Sequence, residues 1–110
     1  RVAKLQAVSH EFVRYAKSKG LDPGSAEGYA VVPLMLGSSL LAGKLASRMF
    51  ARKVNVMPII YPVVEEGAAR LRFFLSAAHD VEHVHRAIDI VCEELPKARE
   101  DVARMSGKTE

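Results

Sequence analysis

Apolar residues recur at helical spacing in three stretches of the chain. Between Val2 and Lys19 they are three or four positions apart, which places them on one face of a helix. Gly20 follows this stretch at the position where a left-handed C-terminal cap is typical. A second helix is predicted after Gly37, and a third is predicted from Asp80 to Leu95. Their apolar faces are formed by Leu41, Leu45, Met49 and Phe50, and by Val81, Val84, Ile88, Val91 and Leu95.

Three short apolar stretches between these helices predict β-strands, at 30–36, 54–60 and 70–76. The last strand alternates most clearly, so that Arg70, Arg72 and Phe74 share one face and the residues between them share the other. Pro33 and Pro58 lack an N–H group, which argues that the first two strands lie at sheet edges or are irregular. The connection between the last two strands is short, and they are therefore expected to pair antiparallel.

The order helix, strand, helix, strand, strand, helix favours an α+β fold. We expect a two-layer sandwich in which a three-stranded, mainly antiparallel sheet carries its helices on one face. Residues 1–95 are predicted to form one domain. Pro96 is expected to end or kink the last helix, and residues 96–110 are expected to form a polar, frayed tail.

Composition narrows the possible functions. The net charge of +3 and the pI of about 9.2 arise from basic residues spread over the predicted helices, and the chain has no tryptophan. We therefore expect no nucleic-acid partner. No apolar stretch reaches the ~18 residues of a membrane span, so we expect neither a membrane span nor a secretory leader. Cys92 is the only cysteine, which excludes an internal disulfide and fits a cytoplasmic location.

Arg72 is the candidate for binding chemistry, because it lies between Leu71 and Phe73 in a strand that otherwise suits burial. A guanidinium group in such a place requires an anionic partner, and its planar fork matches a carboxylate. The pattern alone leaves three alternatives: a bound substrate, an ion pair with Glu65 or Glu66 across the hairpin, or a solvated sheet face.

Histidines offer a weaker candidate. His79, His83 and His85 include an i, i+4 pair that is able to bind a metal. No cysteine or carboxylate completes a ligand set, so solvated or capping roles are favoured and no metal site is predicted.

A longer motif surrounds Arg72. The segment from Asn55 to Asp80 resembles the C-terminal signature of the α-oxoamine synthases, pyridoxal-phosphate-dependent acyltransferases. The matching elements are Tyr61-Pro62, Gly67, Ala69-Arg70-Leu71-Arg72 and Ser76-Ala77-Ala78-His79. The upstream segment from Val31 to Gly37 and the helix after it are also similar to the small domain of that family.

The resemblance implies a function for the chain. In that family the second arginine of the Arg-Leu-Arg element, here Arg72, binds the carboxylate of an amino-acid substrate, and Arg70 is left a structural role. Ile60 and Tyr61 stand where some branches have an arginine, so a second contact of that kind is not expected.

The family enzymes condense an acyl-thioester, carried on coenzyme A or an acyl carrier protein, with an amino acid and release carbon dioxide. The resemblance places the pyridoxal phosphate lysine and the other cofactor contacts in a large domain of the same polypeptide, and implies a homodimer. No catalytic or cofactor-binding residue is therefore expected in this chain, which alone would be inactive. The alternative is a non-catalytic, stand-alone α+β interaction module.

Overall fold

The computed structural model describes residues 2–24, 31–75 and 81–105. It contains the elements in the predicted order. The helices are α1 (Val2–Ser18), α2 (Ser39–Ala51) and α3 (Val81–Met105), and the strands are β1 (Val31–Gly37), β2 (Val56–Ile59) and β3 (Ala69–Phe74). The predicted start of α3 at Asp80, the outer ends of two predicted strands and His79 lie outside the described residues.

The sheet has the strand order β1-β3-β2, and both pairings are antiparallel. This confirms the predicted α+β class and the antiparallel pairing of the last two strands. Pro33 and Pro58 both lie on the outer strands of this sheet, where a missing N–H group costs least. β3 is therefore the central strand, and its side chains have neighbours on both sides.

The core lies between one face of the sheet and the three helices. Along β3, burial alternates, with Ala69, Leu71 and Phe73 buried. Phe12 of α1 packs against Phe73 with ring centroids 5.0 Å apart. The buried cluster joins this face to Leu45 of α2 and to α3 residues such as Ile88 and Val91. Since the apolar residues of all three helices converge on this one face, the opposite face of the sheet stays open.

The chain reverses direction after α1 and after α2, and at each reversal one residue has a left-handed backbone conformation. Gly20, with φ of 80°, follows α1, and Leu21 N donates to Ala16 O at 2.9 Å, which confirms the predicted glycine cap. After α2 the same arrangement recurs, because Val54 N donates to Met49 O at 2.9 Å. Lys53 takes the position that glycine takes in the first cap, with φ of 67°.

Of the two alternatives predicted at Pro96, a helix end or a kink, the helix end is wrong. α3 continues through Pro96 to Met105, and Ala98 is fully buried in the core. The missing N–H group of Pro96 removes one backbone hydrogen bond, but burial beyond it holds the next turns against the fold. Residues 97–105 are thus helical rather than frayed, and 106–110 lie outside the described residues.

One apolar position and several polar positions of the helices depart from a simple inner and outer face. Arg48 and Arg52 of α2 form ion pairs with Glu94 and Asp101 of α3. Glu94 is buried although it is charged. Phe50, assigned to the apolar face of α2, is instead 71% exposed. In the described ranges, no helix is long and apolar enough to cross a membrane.

Candidate functional site

The open face of the sheet carries the candidate site. Its surface is mostly apolar, and Met57 and Phe74 are each 47% exposed. Two arginines of the central strand interrupt this surface. Cross-strand register places eight side chains on it: Val31, Pro33 and Met35 from β1, Arg70, Arg72 and Phe74 from β3, and Met57 and Ile59 from β2.

Arg72 lies in the middle of this face. Its cross-strand neighbours are Pro33 on β1 and Met57 on β2. Neither neighbour carries a charge, and the Arg72 side chain is exposed. Among residues 2–24, 31–75 and 81–105, no carboxylate forms an ion pair with it. The guanidinium group is therefore available to an anion that approaches the open face.

The ion pair with Glu65 or Glu66 that the sequence left open is not found. Glu66 Oε2 instead accepts a hydrogen bond from Ser39 N, at 3.0 Å, at the start of α2. Hydrogen bonding from Ser39 lowers the pKa of the Glu66 carboxyl, which keeps it ionised. Ser39 Oγ in turn accepts from Tyr61 N at 3.0 Å. The connection between β2 and β3 is thus hydrogen-bonded to the start of α2, and the Glu66 carboxylate takes part in this contact instead of pairing with Arg72.

Arg70 lies on the same face but in a different environment. It is half-buried, and its cross-strand neighbours are Met35 and Ile59. Its Nε donates to Ala68 O at 3.1 Å, one residue before β3 begins. This bond occupies part of the guanidinium fork and braces the entry to β3.

Sequence reasoning missed the two residues that flank Arg72. Pro33 and Met57 are far apart along the chain, and only the strand order brings them to either side of the arginine. Part of the strand order is predictable from the sequence, because the prolines indicate edge strands and the short connection indicates that β2 pairs with β3. The register, which decides the flanking residue, was not readable from the pattern.

The histidines and Cys92 do not assemble a described metal site. His85 contacts Glu11 of α1 through Nε2 and Oε2, and it stacks on Tyr15 with ring centroids 4.0 Å apart. Across the described ranges, no group of three metal-binding side chains occurs. Cys92 packs against the core, and burial raises the pKa of its thiol, which makes it less reactive.

Known proteins similar to this chain fall into one class. No family model matches it. It is 35% identical over 86 residues to 2-amino-3-ketobutyrate coenzyme A ligase of Salmonella typhimurium, which covers 78% of this chain and 21% of that protein. It is 28% identical over 88 residues to 8-amino-7-oxononanoate synthase of Coprothermobacter proteolyticus, which covers 80% of this chain and 22% of that protein.

Solved structures show the same fold. The 8-amino-7-oxononanoate synthase of Francisella tularensis matches with a TM-score of 0.73 and 25% identity, over 86% of this chain and 27% of that one. The serine palmitoyltransferase of Sphingomonas wittichii matches with a TM-score of 0.73 and 20% identity, over 98% of this chain and 25% of that one.

The fold is therefore the α+β small domain of fold-type I pyridoxal phosphate enzymes. Within that class, the chain matches the α-oxoamine synthase family over the part of its length that these alignments cover. It spans about a fifth of the length of the curated relatives, at 21% of the Salmonella protein.

Proposed function

We propose that the chain is the C-terminal small domain, residues 1–95, of a pyridoxal-phosphate-dependent α-oxoamine synthase, with the helical turns after Pro96 as an extension. In this proposal Arg72 binds the carboxylate of the amino-acid substrate. The rest of the open sheet face contributes a wall of the active site. The large domain of the same polypeptide packs beside this wall and provides the cofactor contacts.

The observation that carries the proposal is the environment of Arg72. Its guanidinium group is exposed at the centre of an apolar face, between Pro33 and Met57, and no described carboxylate pairs with it. An arginine retained among apolar neighbours without an internal partner is suited to an external anion. Its position in the Ala-Arg-Leu-Arg element is the one that binds substrate carboxylate in the family.

The described residues fit the substrate better than the cofactor. None of the described lysines belongs to the sheet: they lie on the helices or in the turns after α1 and α2, at positions 4, 17, 19, 44, 53 and 97. This supports a cofactor lysine contributed by the large domain. Pyridoxal phosphate, when bound there, supplies the electron sink for chemistry at the α-carbon of the amino acid.

The role of Arg72 follows from charge and geometry. Two parallel N–H donors hold a carboxylate in one plane, and this fixes the direction of the adjacent α-carbon. In the overall reaction that carbon forms a bond to the acyl carbon, the thiol leaves the acyl group, and the carboxyl group departs as carbon dioxide. Apolar neighbours such as Met57 exclude water from the contact and thereby strengthen it. We further propose that the full-length enzyme is a homodimer, as the family resemblance implies, and that it is cytoplasmic, a location that its single cysteine fits.

The test is Arg72→Lys in the full-length protein. Lysine keeps the charge but loses the fork, so the amino-acid KM should rise and kcat/KM should fall about 10- to 100-fold, the value of one charged hydrogen-bonded contact. The absorbance of the bound cofactor should be unchanged. Arg70→Lys is the matched control on the same strand and face, and it should change the amino-acid KM little.

Equal effects of the two substitutions on the amino-acid KM, or none from Arg72→Lys, would remove Arg72 from the substrate site. The coding region upstream of Arg1 tests the domain assignment independently. A cofactor-lysine motif there supports the enzyme, and its absence favours the stand-alone interaction module.

A further inference from the structure

A cavity lies at the end of the sheet where β3 finishes. It has a volume of about 420 Å³. Its apolar lining includes Phe12 and Phe73 from the core layer, Phe74, the last residue of β3, and Ala87 of α3. Lys53 and Arg86 also line it. The volume falls within the range of pockets that bind small molecules.

Lys53, which lines the cavity, has a backbone conformation that is unfavourable for a residue with a Cβ. Its φ of 67° lies in the left-handed region, and Lys53 N donates to Phe50 O at 2.9 Å within the cap that ends α2. Glycine is the usual residue at this position because it has no Cβ to crowd the backbone. A lysine placed there makes the cap less stable than a glycine would. Residues held in such conformations cluster at binding sites, where the side chain has a use.

Among the described residues, the charged side chains that line the cavity are the cations Lys53 and Arg86, and His83 lines it as well. Neither Lys53 nor Arg86 forms an ion pair with any carboxylate of the described residues, and no described acidic residue lines the cavity. The two cations thus border a space whose walls are aromatic and aliphatic. A neutral apolar ligand would leave both charges without a partner, and a small hydrophilic anion would leave the ring of Phe74, which is 47% exposed, uncovered.

We propose that this cavity binds a small amphiphilic anion, with an acyl chain or aromatic ring against the phenylalanines and an anionic head group held by Lys53 and Arg86. The cavity shares Phe74 with the open sheet face, but Arg72 does not line it. The variants that test this proposal therefore leave Arg72 unchanged, and its failure can be told apart from failure of the function proposed for Arg72.

The experiment measures binding of octanoate to the full-length protein by displacement of 8-anilinonaphthalene-1-sulfonate, an aromatic anion, followed by fluorescence. Octanoate should displace the probe saturably, and octan-1-ol should be at least about tenfold weaker because it lacks the charge. Lys53→Gly and Arg86→Gln should each weaken octanoate binding about tenfold, the loss expected for one charged contact. Lys17→Gln, at an exposed position of α1, is the control and should bind as the unmodified protein does.

Two features of the variants keep the test decisive. Lys53→Gly should keep or raise the unfolding temperature, because glycine suits the left-handed cap, so weaker binding cannot be attributed to misfolding. Ala87→Phe should fill the cavity with both cations retained, and it should abolish displacement. Equal affinity for octan-1-ol and octanoate, or unchanged affinity in Lys53→Gly and Arg86→Gln, would overturn the proposal.

Discussion

Arg52 and Glu94 join α2 to α3 through a hydrogen bond of 2.7 Å between Nη1 and Oε2. The other carboxylate oxygen of Glu94 accepts from Arg48 Nη1 at 3.1 Å. Hydrogen bonding from Arg52, the largest effect, lowers the pKa of Glu94 and keeps this buried carboxylate ionised. Arg48 also pairs with Asp101, one turn beyond Pro96. These contacts fasten the second half of α3 to α2.

Replacing Glu94 with glutamine should lower the thermal unfolding midpoint by several degrees. The substitution keeps the shape of the side chain but removes the charge, so Arg48 and Arg52 lose a shared anion in a poorly solvated place. The measurement is thermal unfolding followed by circular dichroism at 222 nm. Glu93→Gln is the control, because the Glu93 side chain is 59% exposed and pairs with Arg52 alone. A midpoint shift in Glu93→Gln as large as that in Glu94→Gln would refute the argument.

The fold was largely predictable because the residues that form the strands and end the helices follow regular sequence patterns. The alternation from Ala69 to Phe74 assigned both faces of β3 correctly, since a strand with one buried face must alternate. Gly20 marked the end of α1, because few other residues suit its conformation. Pro33 and Pro58 indicated edge strands for the reason that a central strand needs every N–H group.

The contacts between helices were not predictable from the same pattern. Arg48 and Arg52 resemble solvated residues, because helical spacing shows which positions are polar but not which other helix they face. Pro96 resembled a helix end or a kink, and α3 continues past it because Ala98 is buried and Asp101 pairs with Arg48. At the candidate site, the pattern found Arg72 but not its neighbours, since cross-strand register is a tertiary property.

The stability of the protein should fall at acid pH, and protonation of Glu11 should account for part of this fall. Hydrogen bonds from Arg14 and then from His85 lower the pKa of Glu11 from 4.5 to about 2. A carboxyl group whose pKa is lower in the folded state adds stability above its unfolded pKa, and this stability is lost as pH falls toward the folded value. The free energy of unfolding that Glu11 contributes should therefore be constant above pH 5 and should decline toward pH 2.

The measurement compares urea unfolding of the unmodified protein with that of Glu11→Gln at several pH values. The difference in free energy of unfolding should be largest near pH 5–7 and should shrink toward pH 2, since glutamine cannot titrate. Glu100→Gln, at an exposed position of α3, should show no such trend. A difference that is independent of pH would contradict the role given to the Glu11 contacts.

Pro96→Ala should stabilise the protein, because α3 passes through this position. Alanine restores an N–H group that can donate to the carbonyl of Cys92 and removes the steric conflict of the ring with the preceding turn. The free energy of unfolding should rise by about 1–3 kcal/mol. Chemical denaturation measures it, with Glu100→Ala as a control for the effect of alanine on an exposed helical site. Destabilisation would mean that the helix depends on a local bend at Pro96.

Met57→Glu should weaken the amino-acid substrate by placing a competing carboxylate beside Arg72. The two residues are direct cross-strand partners, so the new carboxylate lies within reach of the guanidinium group. Cross-strand pairs of opposite charge contribute about 0.2–1 kcal/mol, and the amino-acid KM should therefore rise about 1.4- to fivefold in the full-length enzyme. Met57→Gln separates charge from shape, because its amide has a similar length and no charge, and its KM should change less.

High salt should reduce the difference between the two variants, since screening weakens an exposed pair. If Met57→Glu and Met57→Gln gave the same KM, the substrate carboxylate and this glutamate would not compete for one cation, and Arg72 would lose its assigned role.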